Sequence, residues 1–225
     1  MHSKTNKLQG FFITGSDTGV GKTWISCQLI NQLKHTVTSL KVRKPVESGC
    51  QVLPDRQLLA ADGQALYSAN DNRENLQLVA PLRFKAVTSP DRAANLENQP
   101  LYLQQLVDVV KCNILPEETV LVEGAGGFYS PIAEDGLNAD LAKLLDLEII
   151  IIVEDRLGAI NQGLLTIKAV ESEGLVIRAL ILNQTHGIPD YELNNLQDLR
   201  KRTHYPVYSC SFNGLLEPVN LTKTN

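Results

Sequence analysis

Residues 15–23, GSDTGVGKT, follow a short apolar run and end on a lysine and a hydroxyl, Lys22 and Thr23. Further along, Lys44 and Glu123 each sit at the end of another such run. Ammonium groups beside carboxylate and hydroxyl oxygens are the parts that phosphoryl transfer uses to hold and neutralise phosphates. The spacing is unusual, however. A standard phosphate loop has four residues between its first glycine and Gly-Lys-Thr. Here Gly15 and Gly21 are separated by five, with Ser16 where that first glycine would stand.

A strand before the loop and a helix after it would make its backbone N–H groups an anion site at the helix N-terminus. Lys22 would then reach the β- and γ-phosphates and the Thr23 hydroxyl would bind Mg²⁺. The alternative is a Gly-Lys-Thr that only starts a helix. In VLVEGAGG (120–127) a buried strand ends on Glu123, at the edge where parallel sheets bind ligands; a solvated strand-end acid is the plainer reading. In LKVRKPVESG (40–49) Lys44 is either a surface charge or a second cation near the γ-phosphate. Asp62, taken alone, reads as a helix N-cap.

The elements that must position these groups alternate along the chain. Apolar, β-branched runs predict strands at Phe11–Thr14, Leu40–Arg43, Val120–Glu123, Ile149–Val153, Ala179–Leu182 and Val207–Cys210. Several are continuous rather than alternating, as in strands covered on both faces. Helical patterns fill Trp24–Leu33, Leu101–Lys111, Asn138–Leu145, Gly158–Glu173 with Gly174 as the terminating residue, and Pro189 to about Arg202. This is an α/β chain with a mainly parallel sheet, expected as one domain over residues 1–225.

Composition excludes other classes. A net charge of −4 offers no nucleic-acid or anionic-membrane surface. The four cysteines are scattered without CxxC spacing, and with four dispersed histidines they make no zinc pattern. The N-terminus is polar and no apolar run is long enough for a bilayer, so a cytoplasmic location with reduced thiols is expected.

Taken together, the motifs resemble those of the dethiobiotin synthetases. The family's loop, G-[TS]-D-T-x-V-G-K-T, has the same five-residue spacing. KPVESG (44–49) resembles its K-P-V-x-S-G, and VEGAGG (122–127) its V-E-G-A-G-G. TSP (88–90), RLGAIN (156–161), LLT (164–166) and LILN (180–183) follow in the family's order, so the likeness runs from about residue 11 to 184. It implies a P-loop NTPase fold of three layers with about seven strands.

The resemblance also assigns residues. Gly19, Val20, Gly21, Lys22, Thr23 and Trp24 would bind nucleotide phosphates, joined by the glycine run Gly124, Ala125 and Gly126. Thr23, Asp62 and Glu123 would hold Mg²⁺. Lys44, Lys22 and Thr18 would be catalytic, with Thr18 and Ser48 on the diamine or its carbamate. Asn183 and Gln184 would meet the adenine, with Ser211, Phe212 and Asn213 in the base-recognition loop. Asn161 would reach the neighbour's substrate carboxylate across a homodimer. Gly19 stands where some members have glutamate, and Asp91 and Gln162 where histidine is common.

The implied reaction joins 7,8-diaminononanoate, CO₂ and ATP. One amine captures CO₂ as a carbamate, the carbamate attacks the γ-phosphate to give a carbamic-phosphoric anhydride, and the second amine closes the ureido ring. No covalent enzyme intermediate is needed. Two rivals remain. One is a MinD-like or partition-type ATPase switch, whose loop carries a lysine soon after its first glycine. The other is a different amide ligase of the superfamily, for whose glutaminase domain 225 residues leave no expected room.

Overall fold

The computed structural model describes residues 7–187 and 192–221. In chain order the elements are β1 (Gln9–Gly15), α1 (Lys22–Leu33), β2 (Leu40–Arg43), β3 (Val46–Glu47), β4 (Gln51–Val52), β5 (Leu58–Leu59), α2 (Ala61–Ala69), α3 (Leu76–Val79), β6 (Leu82–Arg83), α4 (Pro90–Leu96) and α5 (Leu103–Lys111). There follow β7 (Thr119–Gly127), β8 (Pro131–Ala133), β9 (Gly136–Leu137), α6 (Asn138–Leu145), β10 (Glu148–Glu154), α7 (Ala159–Ser172), β11 (Ile177–Asn183), α8 (Asn195–Arg202) and β12 (Val207–Cys210).

Six parallel strands form the central sheet in the order β12-β11-β10-β1-β7-β2. The continuous apolar runs divide between its two faces because successive side chains alternate. Ile149, Ile151 and Val153 join Leu106, Leu141 and Ile167 of α5, α6 and α7. Ile150 and Ile152 join Ile25, Leu29 and Leu66 of α1 and α2. Each such burial contributes about 1.5–3 kcal/mol relative to an exposed side chain. Three layers result, as the resemblance implies. Among the described residues no helix is long and apolar enough to cross a membrane.

One expectation is refined and two need correction. The main sheet has six strands, which refines the figure of about seven implied by the resemblance. Among the described residues, pairing beyond β12 continues only as one antiparallel bridge, Cys210 with Leu216. Pro218 follows closely and has no N–H for a longer ladder. At the other side Pro45 ends β2, and β3 pairs separately with β6. The last long helix starts at Asn195 rather than near Pro189, which with Asp190 lies outside the described residues. The third concerns α2, whose N-cap is Ala60, so Asp62 stands in the first turn and does not cap it.

The edge strand β2 has its outward backbone groups taken by side chains. Val42 N donates to Glu74 Oε1 at 2.8 Å, and Asn70 Nδ2 donates to Leu40 O at 3.0 Å. Arg43 Nη1 meets Glu74 Oε2 at 2.6 Å with both side chains almost fully buried. Lys44 N then donates to Val79 O at 2.7 Å. The strand that delivers Lys44 is thus fixed on its open side as well as by β7.

Burial also sorts the thiols. It pushes Cys27 up to about 12 and Cys50 to about 11, and Cys210 upward as well, whereas Cys112 is exposed. Since the thiolate is the reactive form, one thiol should react rapidly with an aromatic disulfide at neutral pH and all four only after denaturation. Cys112→Ser should remove the fast phase. A fast phase of two or more equivalents would contradict this burial order.

Candidate active site

The loop after β1 turns at the C-terminal edge of the sheet, tied there by Ser16 N donating to Ile152 O at 2.8 Å. Gly21 precedes α1 with φ 82° and ψ 34°, left-handed backbone that favours glycine. Lys22, 8% exposed, folds back so that Nζ donates to Asp17 O at 3.3 Å. Burial first, and the Lys44 charge second, lower the Lys22 ammonium to about 8. Thr18 is exposed at the loop's tip, its N–H on Asp17 Oδ1 at 2.7 Å. Gly19 has φ +80° with open space beside it.

Lys44 is 3% exposed and lies among oxygens from two elements, β7 and α2. Its Nζ donates to Glu123 Oε1 at 2.7 Å and Gly124 O at 3.3 Å, and meets Asp62 Oδ2 at 2.9 Å. The Thr23 hydroxyl donates to Glu123 Oε1 at 2.8 Å and also lies against Asp62. Burial alone would lower the Lys44 pKa, but the carboxylates of Glu123 and Asp62 outweigh it and raise it. Reciprocally, Lys44 overcomes partial burial of Asp62 and holds that carboxylate below its ordinary range.

Thr23, Asp62, Glu123, Lys22 and Lys44 therefore meet in one cluster. Glu123 Oε2 is buried without a hydrogen-bond partner. A buried carboxylate oxygen left over, beside a second carboxylate and a hydroxyl, is a hard-oxygen donor set that fits Mg²⁺. The loop backbone and two ammonium groups fit the phosphates of a nucleotide.

The glycine run reaches the site because β1 and β7 fall out of register. Ile13 pairs with Glu123, yet Gly15 pairs with Gly127. Asn138, which sequence reasoning missed, holds the bulged segment. Its Oδ1 accepts from Ala125 N at 3.0 Å, and its Nδ2 donates to Ala125 O at 2.6 Å and Ser130 O at 3.1 Å. A Cβ on Gly126 would come 3.4 Å from Thr18 Oγ1, so this run and the phosphate loop face each other.

On the other flank Asn183 Nδ2 donates to Val20 O at 2.9 Å, locking the end of β11 to the loop. Gln184 Oε1 accepts from Phe212 N at 3.2 Å, which brings the 183–187 segment against Ser211, Phe212 and Asn213. Trp24 and Phe212 each leave 44% of their surface exposed nearby in the chain's ligand edge. Ser48 and Asn161, expected on the substrate, are not bonded into the cluster. Ser48 turns its hydroxyl onto Thr88 O at 2.6 Å, and Asn161 is exposed on the first turn of α7.

Known proteins share this fold and this family. The solved ParA family ATPase from Chlorobium tepidum TLS superposes with a TM-score of 0.52 over 91% of this chain and 84% of its own, at 15% identity. The signal recognition particle receptor FtsY from Elizabethkingia anophelis in complex with GDP gives 0.51 at 17% identity, the chain spanning 63% of its length. These likenesses are of fold alone. A family model described as an AAA domain matches residues 9–211. The ATP-dependent dethiobiotin synthetase BioD of Ruthia magnifica is 38% identical over 89% of this chain and 90% of its own. That of Rhodopirellula baltica is 34% identical over 88% and 81%, and that of Methanocaldococcus jannaschii 36% over 76% and 78%. With the five-residue loop spacing, the buried lysine and relatives that match over three quarters or more of its length, the chain belongs to the ATP-dependent dethiobiotin synthetase family.

Proposed function

We propose that the cluster around Lys44 is where this protein activates a diamine carbamate with ATP and closes the ureido ring of dethiobiotin. The observation that carries it is the Lys44 ammonium, buried between Glu123 and Asp62 and beside Lys22 at the mouth of the loop. A partition-type switch would carry its extra lysine inside the loop, where this chain has Ser16-Asp17-Thr18. Here the second ammonium is Lys44, at the end of another strand, and this reaction must bring two anions, carbamate and γ-phosphate, into bonding range. Two unit charges 4 Å apart repel by about 4 kcal/mol at an effective dielectric near 20. A second fixed cation offsets that.

When bound, Mg²⁺ would neutralise the β- and γ-phosphate oxygens; Thr23, Asp62 and Glu123 would hold it. The loop amides of Gly19 to Thr23 would orient the phosphates, with Trp24 following them on α1. Lys22 would hold the β- and γ-phosphate oxygens, and Lys44 would sit between γ-phosphate and carbamate. Thr18, on the exposed tip facing Gly126, and Ser48 would contact the acceptor. Asn183, Gln184 and the 211–213 turn would take the adenine. Asn161 is bracketed at four-residue spacing by Leu157 and Leu165, 78% and 62% exposed. That apolar bracket supports a homodimer in which Asn161 serves the neighbour's site.

The test is direct. Purified protein with 7,8-diaminononanoate, bicarbonate and MgATP should yield dethiobiotin by mass with one phosphate released per ring. Specific activity should fall on dilution as dimers separate. Hydrolysis of ATP that ignores the diamine and yields no product would favour the switch.

A further inference from the structure

The segment KPVESG contributes more than Lys44 and Ser48. Glu47 is 7% exposed, and its carboxylate is spent on the backbone of another element. Its Oε1 accepts from Asp62 N at 3.0 Å and its Oε2 from Gly63 N at 2.9 Å. These are first-turn amides of α2, which have no intrahelical partner. The N-cap residue, Ala60, has no side chain to satisfy them. Glu47 therefore does from a strand, 15 and 16 residues upstream, what an N-cap does locally.

Its own backbone leaves it little freedom. Glu47 pairs with Arg83 in the β3–β6 ladder, and its carbonyl accepts from Phe84 N at 2.9 Å. The helix start is seated just as tightly, since a Cβ on Gly63 would stand 2.3 Å from Ala80 Cβ. Asp62 is thus gripped at both ends by one short segment. Glu47 holds its amide, and Lys44, three residues earlier, meets its carboxylate at 2.9 Å.

We propose that Glu47 is a positioning residue that clamps the N-terminus of α2 and so sets where the Asp62 carboxylate stands relative to Thr23 and Glu123. The side chain of Asp62 is 41% exposed and its helix starts without a local cap. Without Glu47 the first turn would fray and the carboxylate would wander from the Thr23 and Glu123 oxygens it must join. The clamp rests on the proposed role of Asp62 toward Mg²⁺, and the experiment separates the two.

Trp24 is the chain's only tryptophan, adjoins Thr23 and is partly exposed. Its emission can follow Mg²⁺ titrations of the protein saturated with a non-hydrolysable ATP analogue, with calorimetry as a second reading. Groups that orient metal ligands typically change metal affinity 10–100-fold when removed. Glu47→Ala should raise the half-saturating Mg²⁺ concentration about tenfold or more, while the ATP KM at saturating Mg²⁺ moves less than about threefold. Glu47→Gln, which retains one acceptor oxygen, should fall between it and the parent, and carries the comparison if Glu47→Ala does not fold. Asp62→Asn should be shifted at least as far as Glu47→Ala. A Glu47 variant that lowers only the melting temperature, beside a shifted Asp62→Asn, would reduce Glu47 to a helix cap and overturn the clamp. An unshifted Asp62→Asn would overturn the metal role of Asp62 and the clamp with it.

Discussion

Replacing Lys44 by alanine should lower ring formation on the order of 10³-fold, the scale of losing one preorganised cation or donor at a developing charge, while nucleotide binding survives. The reasoning follows the geometry. Lys22 and the loop amides remain to hold ATP, whereas nothing else fixed at the mouth can stand between carbamate and γ-phosphate. A second effect accompanies the first. Lys44 neutralises Glu123, which is 1% exposed, and removing one partner of a buried pair costs about 3–5 kcal/mol. The open side of the cluster, where Asp62 meets solvent, puts this case at the low end. Lys44→Gln, able to donate to Glu123 without charge, should recover much of the melting temperature and none of the turnover. Single-turnover assays beside calorimetric nucleotide titrations check both. Near-normal product from Lys44→Ala would sink the assignment.

The second large effect is expected from Gly21→Ala. A Cβ there would stand 2.1 Å from Asn183 Nδ2, and Gly21 sits at φ +82°. Left-handed backbone costs a residue with a Cβ roughly 1–2 kcal/mol. Asn183 cannot simply swing away, because it is 3% exposed and bonded to Val20 O. The loop must therefore shift or Asn183 must give up that bond, and either displaces the amides that would cradle phosphate. ATP affinity should fall on the order of a hundredfold, about 2.7 kcal/mol. The double variant Gly21→Ala with Asn183→Gly should regain part of it by relieving the clash, a coupling that a double-mutant cycle measures. Unchanged ATP binding in Gly21→Ala would mean that the close approach is not maintained in solution.

Much of this was legible beforehand, for identifiable reasons. The strands read correctly because both faces of a parallel sheet are buried, so runs such as Ile149–Val153 carry no polar interruption. The loop read correctly because its glycines, lysine and threonine act through local spacing. Asp62, Glu47 and Asn138 are different. Each is placed by bonds to backbone groups or ions distant in sequence, and a single acid or amide carries no periodic signal. Asp62 read as an N-cap by local rules, yet the caps of α2 come from Glu47, which no local rule would consult. Asn138 holds Ala125 and Ser130 from the start of α6, and it looked like an ordinary helix opener. The apolar runs predict all six strands of the main sheet, and the count of about seven came with the resemblance.

The side chains along β2 have a consequence beyond the site. An edge strand with free N–H and C=O groups is a template on which another chain can add a strand. Here Glu74 occupies Val42 N, and Asn70 occupies Leu40 O. A foreign strand would have to break both, and would have to displace Glu74 from its buried pair with Arg43. The segment that aims Lys44 is thereby also the one that refuses templated self-assembly, since its lateral backbone groups are already taken.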